Sequence, residues 1–408
     1  MRSFRTGLCG LCFLLCGAAL SSAQKVNAPI VVLVGLDGFR WDYLDKYHPP
    51  TLTKLAADGV RAERMIPSFP SLTFPNFYTL ATGLRPEHHG IVNNSMFDPE
   101  AKETFTLSSL TAKDGKWWGG QPIWVTAEKQ GLHAGCMFWP GAEAEIDGVR
   151  PSEWRPYSDA YPPMDRVKSV LEWLGRPTAE RPRLVTIYFH EVDTAGHAYA
   201  PDSPETGQAV GVVDAALAEL LAGVDRLGLL DRTNFVVVAD HGMAEVSGER
   251  IIGLCTLLDL KTVQVEATGS VAGLRPQRQE DLNAIYDALA AKQEHFQVFR
   301  REEMPEEFHY RASPRIPPII LLADEGWTIA RYPLKSEDSF KLKGSHGFDP
   351  RLVSMGATFI AEGPSLRKGV VIPPFDNIHV YNLLCALLKI KPAPNDGDEQ
   401  LVKECLAP

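Results

Sequence analysis

Three continuous apolar stretches, each running straight to an acidic residue, most constrain what this chain can fold into. Pro29 to Leu36 (P-I-V-V-L-V-G-L) leads into Asp37-Gly38, Leu184 to Phe189 (L-V-T-I-Y-F) reaches Asp193 within four residues, and Asn234 to Ala239 (N-F-V-V-V-A) runs into Asp240-His241. Apolar runs of this length without alternation are strands covered on both faces, as in parallel sheets. Between them lie helical patterns at Thr51 to Asp58, Met164 to Leu174 and Thr206 to Leu227; in the last, Val213, Leu217, Leu220, Leu221 and Val224 recur at helix spacing. Strand and helix in alternation predict a doubly wound α/β domain whose central sheet is mostly parallel and flanked by helices. Ligands bind such sheets at the carboxyl ends of the strands, which is where the three acids fall.

From about Ile252 to Lys343 the pattern changes. Alternating Val263 and Val265, a helix from about Glu280 to Lys292, and strands around Phe296 to Phe299 and Ile319 to Leu322 predict a smaller inserted α+β lobe at about 252–343. The main domain resumes with Gly344-Ser345-His346-Gly347 and a strand from Ala357 to Ala361.

With 408 residues and 45% apolar content the chain can bury a large core. Met1 to Ala23 carries Arg2 and Arg5, an apolar run from Leu8 to Leu20 and a small-residue end, Ser21-Ser22-Ala23. It reads as a secretory signal, too short to span a bilayer. The expected mature chain is 24–408, exported to a periplasm or secreted, monomeric and without stable membrane insertion. Loss of Arg2 and Arg5 takes the net charge from −10 to −12. No basic run interleaved with aromatics occurs, which excludes polymeric nucleic acid as the natural partner. A small anionic substrate needs local positive charge, which bound cations can supply. Cys136, Cys255, Cys385 and Cys405 remain, and export permits bridges. Spacing does not choose among the pairings; Cys385 with Cys405, both in the short C-terminal segment, is favoured, with buried free thiols as the alternative.

Asp193 and His197 stand four apart, so a helical turn points both at one metal. Asp240-His241 and Asp37-Gly38 sit at strand ends, and His346 lies between Ser345 and Gly347. Singly, each has an ordinary explanation as a surface pair, a turn or a loop histidine. Together, three Asp and three His make two three-ligand sites with open positions, and mixed imidazole and carboxylate ligands suit Zn²⁺. Beside them stands P-S-F-P-S-L-T-F-P-N, 67–76, where Thr73 is expected to cap a helix with Pro75 in its first turn and an apolar run from Phe77 to Leu80 beyond. Its hydroxyl then lies at the positive end of the helix dipole, where negative charge is favoured. Paired cations clamp the attacking and leaving oxygens of a displacement at phosphorus, and Thr73 supplies the attacking oxygen. The opposing possibility is a binding module in which Thr73 is only a cap and the metals are structural.

Eight segments then occur in a fixed order: V-L-V-G-L-D-G-F-R at 32–40, P-S-F-P-S-L-T-F-P-N at 67–76, H-G-I-V-N-N-S-M-F-D at 89–98, W-W-G-G-Q-P-I-W at 117–124, F-W-P-G at 138–141, D-T-A-G-H at 193–197, A-D-H-G-M at 239–243 and S-H-G-F-D at 345–349. With them the chain resembles the nucleotide pyrophosphatase/phosphodiesterases of the alkaline phosphatase superfamily, the ectonucleotidase type, and it looks like a bacterial member. The resemblance implies an alkaline phosphatase-like fold and two Zn²⁺ per chain, one held by Asp193, His197 and His346, the other by Asp37, Asp240 and His241 together with the Thr73 oxygen. It also implies that Asn94 and the Thr73 N–H bind a phosphate oxygen; the residues alone do not choose between Asn93 and Asn94. A Thr73 phosphoryl ester, released by water, follows from the same resemblance. No C/S-x-P-x-R context for a sulfatase and no Arg beside Thr73 for a monoesterase is found. Phe74 follows the nucleophile, and Tyr157, in W-R-P-Y-S-D, matches the family position that faces it. Two aromatic faces suit a nucleobase, whereas a choline head wants an aromatic cage with acids around a cation. ATP-like nucleotides and dinucleotides yielding 5′-monophosphates are therefore expected, with choline- or lysolipid-type diesters as the alternative.

Overall fold

The strand Ile30–Leu36, every residue of it buried, lies inside an eight-stranded sheet. A computed structural model describes residues 28–107, 110–333 and 340–408; the expected signal segment, 1–23, lies outside them. Across the sheet the order is Val370–Ile372, Val60–Ala62, Phe359–Glu362, Thr233–Val238, Ile30–Leu36, Leu184–Phe189, Ala134–Met137 and Glu153–Arg155. Ile30–Leu36 pairs in parallel on both sides, Val31 standing opposite Leu184 and Asn234. The two flanking strands are buried throughout as well. Each Val, Leu or Ile so covered contributes about 1.5–3 kcal/mol relative to exposure, which fixes the register. Phe359–Glu362 runs antiparallel to both of its neighbours, so the sheet is mostly parallel. Because the three central strands are adjacent and parallel, Asp37, Asp193 and Asp240 emerge at one edge.

Helices cover the sheet. Pro50–Asp58, Pro163–Leu174 and Pro204–Arg226 each carry proline in the first turn, where its missing N–H costs nothing. Ser203 caps the last of these, its hydroxyl accepting from the Thr206 N–H at 3.1 Å. By length and composition Pro204–Arg226 could cross a membrane. Here it packs on Pro50–Asp58, Pro163–Leu174 and Glu191–Tyr199 with Val210, Val213, Leu217, Leu220 and Val224 buried.

A second sheet, antiparallel, follows the order Val263–Ala267, Val271–Pro276, Ile319–Ala323, Phe296–Arg300, and the helix Leu282–Ala290 packs on it. Period-two alternation divides its strands. Ala272, Leu274, Ile319 and Leu321 enter a cluster with Ile285 and Leu289, while Val271, Ile320 and Leu322 join the main core. This sheet is thus seated on the main domain by one of its faces.

The favoured Cys385–Cys405 bridge is not formed. All four cysteines at 136, 255, 385 and 405 are free, and only Cys255 is exposed. Burial pushes the Cys385 and Cys405 thiols up to about 12, so both behave as small apolar side chains in the core.

Candidate active site

The site starts from the turn after Ile30–Leu36. Gly38 has φ +65°, and a Cβ there would lie 2.9 Å from both Cα and Cβ of Asp193, so only glycine lets the two acid-bearing segments approach this closely. The Gly38 N–H donates to Asp240 Oδ1 at 3.1 Å, tying a third segment to the same point. Asp193 and His197 share the helix Glu191–Tyr199, with His197 Nε2 3.4 Å from Asp193 Oδ1. His346 Nε2 lies 3.6 Å from that same oxygen. His241 Nε2 is 2.8 Å from Asp240 Oδ2 and 3.6 Å from Asp37 Oδ1, and its ring stacks on His346 at 3.5 Å.

The imidazoles of His197, His241 and His346 are each anchored through Nδ1 to a backbone carbonyl. His197 donates to Gly344 at 2.8 Å, His241 to Gly242 at 2.9 Å and His346 to Ser71 at 2.9 Å. That leaves each Nε2 lone pair turned inward, the arrangement of a metal-binding histidine. Ligand atoms of Asp193, His197 and His346 lie within 4.8 Å of one another, and so do those of Asp37, Asp193 and His241. Asp193 therefore reaches both groups, while Asp240 joins the second through His241.

Three buried carboxylate oxygens here, Asp37 Oδ1, Asp193 Oδ1 and Asp240 Oδ2, have no hydrogen-bond partner. Buried carboxylate charge without a partner costs several kcal/mol, and divalent cations remove that cost. The donor set of oxygen and neutral imidazole nitrogen fits two such ions. Without them, burial, reinforced by Asp240 and Asp193, holds the Asp37 carboxyl well above its ordinary range; burial does the same to Asp240. Burial, then His241 and His197, pushes His346 well below the usual imidazole value.

Thr73 opens the helix Thr73–Thr82 as its first helical residue; the cap position falls on Leu72, with extended backbone, and not on Thr73 as its sequence context predicts. The cause is Asn76. Its wholly buried carboxamide accepts the Ser68 N–H at 2.8 Å and donates to the carbonyls of Ser68, Pro70 and Leu72 at 3.2, 2.9 and 2.9 Å, so the loop is held without a capping hydroxyl. Thr73 Oγ1 is left at 3.3 Å from His241 Nε2. Asn94 Oδ1 accepts the Phe74 N–H at 3.0 Å, which leaves its Nδ2 as the donor for a ligand. Asn93 instead turns back on the Ser95 N–H at 3.2 Å. Asn94, rather than Asn93, is thereby joined to the start of the helix.

A cleft of about 770 Å³ opens over these groups, lined by Asp37, Thr73, Phe74, Tyr157, Tyr188 and Asp193 among others. Phe74 is half-buried against Trp118 and Phe105, with ring centroids 5.9 and 6.0 Å away. Tyr157 is 46% exposed and meets Phe138 edge-on at 5.4 Å. All ten residues singled out from the sequence thus come to one region, eight around the carboxylates and imidazoles and Phe74 with Tyr157 on the cleft wall.

Some groups escaped sequence reasoning. Tyr188 donates its hydroxyl to Asp37 Oδ2 at 2.5 Å and so turns Oδ1 toward the imidazoles. Its only trace in the sequence was a polar tip near the end of an apolar strand. The carbonyls of Ser71 and Gly344 left none, because any residue supplies a carbonyl.

A family model described as type I phosphodiesterase/nucleotide pyrophosphatase matches residues 31–349. The chain belongs to that family. Among phosphodiesterase/nucleotide pyrophosphatase proteins it is similar to human ectonucleotide pyrophosphatase/phosphodiesterase family member 1, 38% identical over 91% of this chain and 41% of that protein. It is also similar to venom phosphodiesterase CdcPDE of Crotalus durissus collilineatus, 37% identical over 93% of this chain and 47% of that protein. The chain spans less than half the length of these two relatives. Murine ectonucleotide pyrophosphatase/phosphodiesterase 5, solved as an inactive threonine-to-alanine variant with AMP, superposes with a TM-score of 0.88 at 36% identity, over 93% of this chain and 100% of that one. The alkaline phosphatase-like α/β architecture expected from the sequence is therefore shared with a solved member of the type I phosphodiesterase/nucleotide pyrophosphatase family.

Proposed function

We propose that this protein is an exported, two-zinc phosphodiesterase/pyrophosphatase that cleaves nucleotide diester or anhydride bonds through Thr73 and releases nucleoside 5′-monophosphates. The observation that carries this is the Thr73 hydroxyl, 3.3 Å from His241 Nε2 and lining the same aromatic-walled cleft as Asp37 and Asp193, whose buried carboxylate oxygens lack partners. Asp193, His197 and His346 would hold one zinc, and Asp37, Asp240 and His241 the other. When bound, such cations supply positive charge against the charge developing on phosphoryl oxygens and make a neighbouring hydroxyl more acidic.

The chain's own residues account for the rest. Thr73 Oγ1 forms a bond to phosphorus as the bond to the leaving oxygen breaks, and the hydroxyl proton is lost to the leaving group or solvent. Asn94 Nδ2 and the Thr73 N–H stabilise the phosphoryl oxygens. Water then attacks the Thr73 ester from the side the leaving group vacated and restores the hydroxyl. Phe74 and Tyr157 flank the base from two sides of the cleft. In this reading residues 24–408 form one catalytic unit, monomeric and outside the membrane, with the antiparallel sheet as an insertion at about 252–343. Export is supported by relatives that are ectoenzymes or venom proteins, and a nucleotide substrate by the AMP held in the murine relative.

Turnover of ATP, a dinucleotide and lysophosphatidylcholine, compared side by side with and without chelator, tests the proposal. ATP and the dinucleotide should be the better substrates and yield 5′-monophosphates, and chelator should stop both. Superior turnover of lysophosphatidylcholine would overturn the nucleotide assignment, and full activity in chelator would overturn the two-cation one.

A further inference from the structure

We propose that the antiparallel lobe positions both halves of the active site, the His346 segment through Ser270 and the Asn94 loop through Arg315. This rests on the function proposed above and assigns to it two residues that lie outside the cleft.

Ser270 immediately precedes the strand Val271–Pro276 and is 3% exposed. Its carbonyl accepts the Ala323 N–H at 2.8 Å, which fixes it to the lobe, and its hydroxyl donates to the His346 carbonyl at 2.6 Å. Gly347 has φ +101°, and a Cβ there would stand 2.2 Å from Ser270 Oγ, so the segment is pressed onto the lobe. From the opposite side, Ser71 accepts His346 Nδ1–H through its carbonyl and donates its hydroxyl to the Phe348 carbonyl at 2.9 Å. His346 is therefore gripped between the nucleophile loop and the lobe. Neither grip alone fixes both its ring and its backbone.

Arg315 follows the helical turn Glu306–Phe308 and precedes Ile319–Ala323. Its guanidinium donates to Asp98 Oδ2 at 2.9 Å, to the Trp117 carbonyl at 2.8 Å and to the Gly90 carbonyl at 3.1 Å, and it lies 4.8 Å from the Trp117 ring centroid. These contacts clasp the two ends of the loop that carries Asn94 and hold Trp117, next to the Trp118 that backs Phe74. Tyr310 donates to the Val92 carbonyl at 2.8 Å and Ser95 to the Glu266 carbonyl at 3.2 Å, so the lobe holds this loop at two further residues. With the Lys116 carbonyl, 3.3 Å from its Nη2, the planar five-donor fork serves four acceptors at once, one more than the three N–H groups of a lysine allow.

The two residues thus act on different quantities, Ser270 on cation binding and Arg315 on substrate binding. Full-length Ser270→Ala and Arg315→Lys are compared with the parent for Zn²⁺ affinity by chelator competition and for kcat and KM with ATP, with Arg315→Gln as a second variant at that position. Ser270→Ala should weaken one of two zinc sites about tenfold or more, as loss of an outer support does, and lower kcat while leaving KM for ATP near the parent value. Arg315→Lys should raise KM for ATP about tenfold while both zinc affinities stay parental. Variants that move the same parameter together, or that move neither, would overturn the proposal, because a purely structural loss does not separate metal affinity from KM. A parent that binds no zinc would overturn the two-zinc reading and the Ser270 assignment with it, whereas the Arg315 assignment is still decided by KM.

Discussion

Thr73 owes its exposure to what its neighbours do. A hydroxyl committed to capping would be occupied by its own helix, whereas here Asn76 holds the loop and Thr73 Oγ1 faces His241 at 3.3 Å. Thr73→Ala should therefore lose diesterase turnover by several orders of magnitude while retaining its bound metal, and Thr73→Ser should keep part of the activity because the oxygen remains. Steady-state kinetics with metal analysis checks this; an alanine variant within about tenfold of the parent would rule out the nucleophile, since even one lost oxyanion donor costs ~10²–10³. Asn94→Ala should cost about that smaller amount in kcat, because it removes a donor and leaves the attacking oxygen in place. Thr73 was legible in the sequence as a hydroxyl at a helix start. Its true position, one residue inside the helix, was not, because the deciding bonds run from the Asn76 side chain to backbone carbonyls that any sequence would offer.

At the scale of elements, the loop 68–72 and the helix Thr73–Thr82 form one unit around Asn76. Asn76 Oδ1 also accepts from Asn377 Nδ2 at 2.9 Å, and Asn377 Oδ1 in turn accepts the Ser68 hydroxyl at 2.9 Å. Asn76→Ala strands a buried N–H and several carbonyls, each worth about 1–3 kcal/mol. Equilibrium denaturation should therefore show a loss of about 3 kcal/mol or more, and turnover of the surviving folded protein should fall because Thr73 is no longer held against His241. A loss below about 1 kcal/mol would mean that the loop keeps its shape by other contacts. The turn at Gly38 makes a second case: Gly38→Ala places a methyl 2.9 Å from the Asp193 backbone and should lower metal content before it lowers solubility. The central strands were legible because burial on both faces leaves an unbroken apolar run. The turns that aim their acids were legible only as Asp-Gly and Asp-His, without the contacts between segments that give Gly38 its necessity.

Across the whole molecule, the two sheets were legible as a change of periodicity at about residue 252, but the seat of one sheet upon the other was not. It depends on which face of Val271–Pro276 meets the main core, and alternation alone names two faces without assigning them. Asp37 and Asp240 are buried at the strand ends of the main sheet, and burial of ionisable groups gives stability a definite pH dependence. Asp37 and Asp240 are held above their ordinary values by burial, so without cations their contribution to the fold is complete below about pH 4 and is lost as the pH climbs through the raised values. His346 is depressed, so it supports the fold fully above about pH 6.5 and weakens it as the pH falls below that. Cations reverse the carboxylate contribution by stabilising the ionised form, and protons compete with them for both carboxylates and imidazoles. The gap in melting temperature between zinc-replete and chelated protein should therefore be small near pH 5 and widen toward pH 8. With free zinc at about 100 times the dissociation constant, each site adds about 2.7 kcal/mol at the upper end, a shift of several degrees. Paired thermal melts across that range measure it directly. A gap that stays constant or grows on acidification would mean that Asp37, Asp240 and His346 do not bind the cation that stabilises the fold.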